Sequence, residues 1–249
     1  MEVISRRKAC ALIAGITAST VCGELSEAAQ SRGAPSSGKH KGCHPPTQNL
    51  RAYNTVNTLG NPQTDSLFRT EVRNQQAFWN TAHPNGVPTN VYIWNEGSPQ
   101  DANAKASPAG WVLFGWYFYN DHIRRHGRMG IDGTLAHEFG HRVQQTYDWP
   151  TTNPVFELEA DAFSAYYMAL RKGHVWNQIK SYADHVFSLG DTNFNSPQHH
   201  GTPRQRLAAA ELGVNVAVQG AQTPRRGYTG QELHQMFIQA IRQQILPYR

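Results

Sequence analysis

Thr134-Leu135-Ala136-His137-Glu138-Phe139-Gly140-His141-Arg142-Val143 is the stretch on which the reading of this chain turns. Leu135, Phe139 and Val143 recur every fourth residue, which predicts a helix with one apolar side. On that helix His137 and His141 stand one turn apart, about 40° around the axis, so both imidazoles reach a single ion. This is the separation that a tetrahedral zinc requires. Glu138 follows about 100° further round, where it reaches a water at the ion without being a ligand. The helix is expected over Ile131 to Tyr147, with Asp132 as its N-cap and Trp149-Pro150 ending it.

A hydrolytic zinc site keeps three protein ligands and one open position. The third donor is supplied downstream by Glu157-Leu158-Glu159-Ala160-Asp161, inside a helix expected from Phe156 to Arg171 and stopped by Gly173. Glu157 and Asp161 share a face, whereas Glu159 points roughly 200° away from Glu157 and is expected in solvent. Glu157 is therefore the expected ligand. Asp161, one turn on, is placed to accept the remaining N–H of a ligand histidine and orient its ring. His174, beyond the Gly173 stop, is the alternative third ligand.

Further out, Asn90-Val91-Tyr92-Ile93-Trp94 reads as a strand, preceded by a helical pattern through Leu67, Val72 and Phe78-Trp79. The aromatic run from Ala109 to Tyr119 reads as a second strand, buried on both faces or ending at a cleft. After a polar stretch through Gln198, helices are expected over Pro203 to Leu212 and Gly230 to Leu246. There is no internal repeat.

His137-Glu138-Phe139-Gly140-His141 followed by Glu157-Leu158-Glu159-Ala160-Asp161 resembles the gluzincin pattern, in particular bacterial neutral zinc metallopeptidases and soluble relatives of the CAAX prenyl protease family. His200-Gly201-Thr202-Pro203-Arg204-Gln205-Arg206 is similar to the His-Pro…Arg element of those peptidases, with Gly201 in place of the usual proline and His199 as a competitor to His200. Asn103-Ala104-Lys105-Ala106, leading to Gly110-Trp111-Val112, is similar to their Asn-Ala-x-Ala segment at the active-site edge strand. The resemblance covers about Asn103 to Leu212. It implies an α+β, zincin-like domain in which a small twisted sheet packs on the helix bearing His137 and His141, with an edge strand bordering the site. It further implies Zn²⁺ as cofactor, Glu138 as general base and a peptide or protein as substrate. His200 or Arg206 would stabilise the oxyanion, with Arg206 equally placed to hold Asp161, and the Trp111 to Tyr119 strand would offer its edge to an extended peptide.

The N-terminus reads as processing sequence. Ser5-Arg6-Arg7-Lys8, the apolar run Ala9 to Val21 and Ser26-Glu27-Ala28 form a secretory signal over residues 1–28, of Tat-like or Sec type. Residues 29–48, with Ser36-Ser37-Gly38 and Pro45-Pro46, have linker composition. The catalytic domain is expected over 49–249, extracytoplasmic; Cys43, in the linker, is the lone cysteine of the mature chain, so no internal disulfide is expected. No later run reaches the ~20 apolar residues that span a bilayer, so no stable membrane insertion is expected.

The chain has 249 residues, 39% hydrophobic and 16% charged, the profile of one folded domain and not of a disordered or fibrous chain. Its net charge is +5, and losing 1–28 removes three bases and three acids, so the charge stays with the domain. No Lys/Arg run is longer than the pairs and triplets at Arg6-Arg7-Lys8, Arg124-Arg125 and Arg225-Arg226, which argues against nucleic acid as a partner. Three other readings remain at this level: a zinc-binding but inactive protein-interaction module, a hydrolase of cell-wall peptides, and a polyanion binder. Oligomeric state leaves no signature.

Overall fold

The computed structural model describes residues 47–149, 154–187 and 200–247. The expectations for the signal, for most of the linker, for Cys43 and for His199 lie outside these residues.

Helix α1, Pro62–Trp79, starts where the Asn61 side chain accepts from the Thr64 amide and Pro62 occupies the first turn. Its stripe Phe68, Glu71, Gln75 and Trp79 is buried. Four strands follow the order β1-β2-β4-β3: β1 Thr55–Val56, β2 Asn90–Trp94, β3 Ala104–Ser107 and β4 Trp111–Gly115. β2 and β4 are parallel, with Asn90 opposite Trp111 and Trp94 opposite Gly115. β1 pairs with β2, and β3 with β4, in the antiparallel sense. The class is α+β with a small mixed sheet, as expected.

One strand departs from the sequence reading. β4 stops at Gly115, and Trp116 opens the 31-residue helix α2, Trp116–Thr146. The Glu96 carboxylate lies at that junction and accepts the Tyr117 and Phe118 amides, each at 3.0 Å, so two of the first unpaired N–H groups of α2 are satisfied from another segment. A Cβ at Gly115 would overlap this carboxylate. β4 is also bonded on both sides, so it has no edge to offer; the sheet edge beside α2 belongs to β3.

α2 also begins earlier than expected and bends at Gly127 (φ 61°, ψ −154°). Asp132 is not its N-cap. It is buried within the helix and paired with Lys172 Nζ at 2.9 Å and Arg128 at 3.2 Å. Lys172 also meets Glu71 at 2.8 Å, tying α1 and α2 to the end of the next helix.

That helix, α3 (Val155–Leu170), is buried through Phe156–Met168 on every side, as a central helix must be. It crosses α2 where Gly140 faces Ala160, and it meets α5 (Pro203–Ala221) where a Cβ on Gly213 would overlap the Ala162 carbonyl. α4, Trp176–Phe187, was not anticipated from the sequence. Its apolar positions Trp176, Ile179 and Ala183 make a narrow stripe among the polar residues Asn177, Gln178, Lys180, Ser181 and Asp184. α6, Gly230–Ala240, continues into a π-helical turn, Ile241–Ile245. The core gathers Trp79, Phe139, Phe163, Tyr166 and Phe237 between these helices, while the sheet covers α2 through β3 and β4.

Candidate metal centre

The crossing of α2 over α3 determines which side chains meet. His137 Nε2 and His141 Nε2 lie 3.1 Å apart, and Glu157 Oε2 is 3.4 Å from the first and 3.6 Å from the second. This is the group of donors among the described residues able to hold a metal ion, and His174 is outside it. It is also deeply enclosed, with relative exposures of 8% for His137, 0% for His141 and 1% for Glu157.

Both imidazoles are oriented from behind. His137 Nδ1 is 3.0 Å from Asp161 Oδ1, and Arg206 grips the same carboxylate through Nε to Oδ2 at 2.8 Å and Nη2 to Oδ1 at 2.7 Å. Burial alone would raise the Asp161 carboxyl, but Arg206 and His137 hold it below its ordinary value. His141 Nδ1 is 2.8 Å from Gln144 Oε1, and the His141 ring stacks on Phe156. Acceptors at both Nδ1 atoms leave the Nε2 atoms as the pair that would face an ion. Two nitrogens and a carboxylate oxygen form the donor set that suits zinc and other first-row metals.

Glu138 stands apart from this group as its spacing requires. Its carboxylate accepts the Ala106 amide from β3, while Oε2 is buried with no hydrogen-bond partner. Burial pushes this carboxyl up to about 8, and Glu157 adds to the shift while His137 and Lys105 oppose it. Glu157 moves the other way: burial is outweighed by His141, His137 and His200, and it lies well below the carboxylate range.

His200 reaches the group through Glu157, its Nδ1 3.4 Å from Oε2, with Nε2 buried and unpartnered. Of the two positions open to Arg206, the structure has it on Asp161. One expectation fails: Glu159 is not on a solvated face but 2% exposed, because α3 has no solvated face. It accepts from Gln144 at 2.7 Å and meets His234 Nδ1 at 2.6 Å. The sequence reading passed over Gln144 and His234. Gln144 was findable as a polar residue three positions after His141 on the same helix face, whereas nothing local marks His234.

No family model, curated protein or solved structure matches this chain. Its residues and their geometry carry the functional reading.

Proposed function

We propose that the protein is an exported, zinc-dependent metallopeptidase with a zincin-like catalytic domain. The observation that carries this reading is the convergence of His137 Nε2, His141 Nε2 and Glu157 Oε2 beside a buried carboxylate oxygen, Glu138 Oε2, that has no partner of its own. Bound by the three donors, zinc would supply Lewis-acid activation of a water and of a scissile carbonyl.

The remaining steps belong to the side chains. The Ala106 amide holds one end of the Glu138 carboxylate, leaving Oε2 to take a proton from the attacking water and return it to the leaving amine. A carboxyl with a raised proton affinity suits both halves of that transfer. With Arg206 engaged by Asp161, His200 is the residue left for the developing oxyanion; because its Nδ1 faces Glu157 Oε2, its Nε2 would donate as the imidazolium. The substrate would be a peptide or protein, but β3 offers it no free ladder: its residues are buried, Ala106 serves Glu138 and Gln145, and the Ala104 amide donates to Asn103 Oδ1 at 2.9 Å.

The test is zinc content and cleavage of denatured casein by the purified chain, by Glu138→Gln and by His141→Ala. About one zinc in the wild type and in Glu138→Gln, loss of zinc in His141→Ala, and cleavage only by the wild type are expected. Turnover in Glu138→Gln should fall by about 10²–10⁴. Retained turnover there, or a folded wild type that takes up no zinc, would overturn the reading. Zinc uptake without cleavage of any peptide would leave a binding module.

A further inference from the structure

Behind His141 runs a line of polar groups that reaches the protein surface. Gln144 Oε1 faces His141 Nδ1 at 2.8 Å, and its Nε2 donates to Glu159 Oε2 at 2.7 Å and to the Phe156 carbonyl at 2.9 Å. Glu159 Oε1 meets His234 Nδ1 at 2.6 Å. The His234 ring lies flat on Trp149, centroids 3.7 Å apart and planes at 15°, and Trp149 stacks in turn on Tyr147. Gln144, Glu159 and Phe156 are buried, while the His234 side chain is 24% exposed.

The chemistry of these groups orients the line. The Phe156 carbonyl can only accept, so the Gln144 amide must turn its NH₂ towards it, and Glu159 fixes the same orientation with the second N–H. A reversed amide would set its oxygen against two acceptors. Gln144 therefore presents an oxygen, and only an oxygen, to His141. A ring nitrogen facing that oxygen must carry the hydrogen; Glu157 Oε2 competes for it from the Nε2 side, but at 3.6 Å against 2.8 Å, so Nε2 is the nitrogen left as the ion's donor.

We propose that Gln144, locked by Glu159 and the Phe156 carbonyl and secured from the surface by His234, is a positioning residue that holds His141 in its Nδ1–H tautomer. His137 is set by Asp161 and Arg206, so the two ligand histidines are held by independent devices, one anchored on α5 and one on α6. The proposal rests on the metal-site reading for the ion, but not for the tautomer, which is a property of the metal-free chain.

Two readouts test it. Long-range ¹H–¹⁵N correlation on the metal-free chain at about pH 8.5, above the ordinary imidazole range, reports which His141 nitrogen is protonated. Chelator competition reports zinc affinity. The wild type should show Nδ1–H. Gln144→Met, close in shape but lacking the amide oxygen, should show a mixture of tautomers and bind zinc about 10–100-fold more weakly. Glu159→Gln, which still accepts from Gln144, should stay within about threefold of the wild type. Should Gln144→Met fail to fold, His234→Phe gives the same readouts from the surface end: it keeps the stack on Trp149, loses the N–H, and should weaken zinc by about 3–10-fold. A purely structural Gln144 would lower stability and leave the tautomer alone. Nδ1–H in full in Gln144→Met, or unchanged zinc affinity and tautomer in His234→Phe where that variant stands in, would overturn the proposal. If the wild type bound no zinc, the metal-site reading would fall, and the tautomer of the metal-free variants would still decide this one.

Discussion

A carboxylate buried beside an imidazole is stable only if something compensates its charge, and at Asp161 that something is Arg206. The two parallel hydrogen bonds match the fork of the guanidinium to the carboxylate, a geometry a lysine cannot reproduce. Arg206→Leu would leave Asp161 enclosed with His137 as its remaining partner. Removing one member of a buried pair costs about 3–5 kcal/mol, because the other charge stays desolvated. Urea denaturation should show a loss of that size, with Arg206→Lys intermediate. Zinc affinity should fall by about 10–100-fold through the loosened His137 ring. An Arg206→Leu chain as stable as the wild type would mean that Asp161 does not need the pair.

At the scale of elements, α2 explains both what the sequence revealed and what it concealed. His137, Glu138 and His141 were legible because a helix repeats every 3.6 residues whatever surrounds it, and Glu157 and Asp161 followed from the same period. Strand β2 was legible from its β-branched and aromatic run. The start of α2 was not, because Trp111 to Tyr119 has one composition throughout and the boundary is made by a distant group, Glu96, capping at Gly115. The burial of Glu159 was hidden for a similar reason: periodicity assigns it a face, but α6 covers that face, and His234 comes from seventy-five positions away. The bend at Gly127 carries a prediction. Its φ of 61° and ψ of −154° are essentially confined to glycine, and nothing stands within 4 Å of where a Cβ would project. The cost of Gly127→Ala is therefore conformational alone, about 1–3 kcal/mol, read as a lower urea midpoint. An unchanged midpoint would show that the bend is not strained.

Taken whole, the molecule is tied together by charges, and an ion on the three donors would add a further tie; each predicts a response. Glu232 closes the α6 capping box, accepting from Thr229 and meeting Arg225 at 2.8 Å; burial opposes ionisation slightly, but these partners hold its carboxyl below the ordinary value. A carboxyl depressed on folding stabilises above its unfolded value, about 4.3, and that contribution is lost as pH falls through the folded value. Glu232→Gln keeps the capping pattern without the charge, so between about pH 5 and 3 it should lose less stability than the wild type; equal losses would remove Glu232 from the acid response. A metal tie would act on the whole fold. His137 and His141 come from α2 and Glu157 from α3, so an ion bound by all three favours the folded chain over the unfolded one by mass action. At free zinc about one hundred times the dissociation constant, the gain is about 2.7 kcal/mol. In a chain of this size that raises the melting temperature by about 5–10 °C. Adding a chelator should reverse the gain in the wild type and in Glu138→Gln, which keeps all three donors, and leave His141→Ala unmoved. A melting temperature indifferent to zinc and chelator in the wild type would mean that the three donors do not act together on one ion.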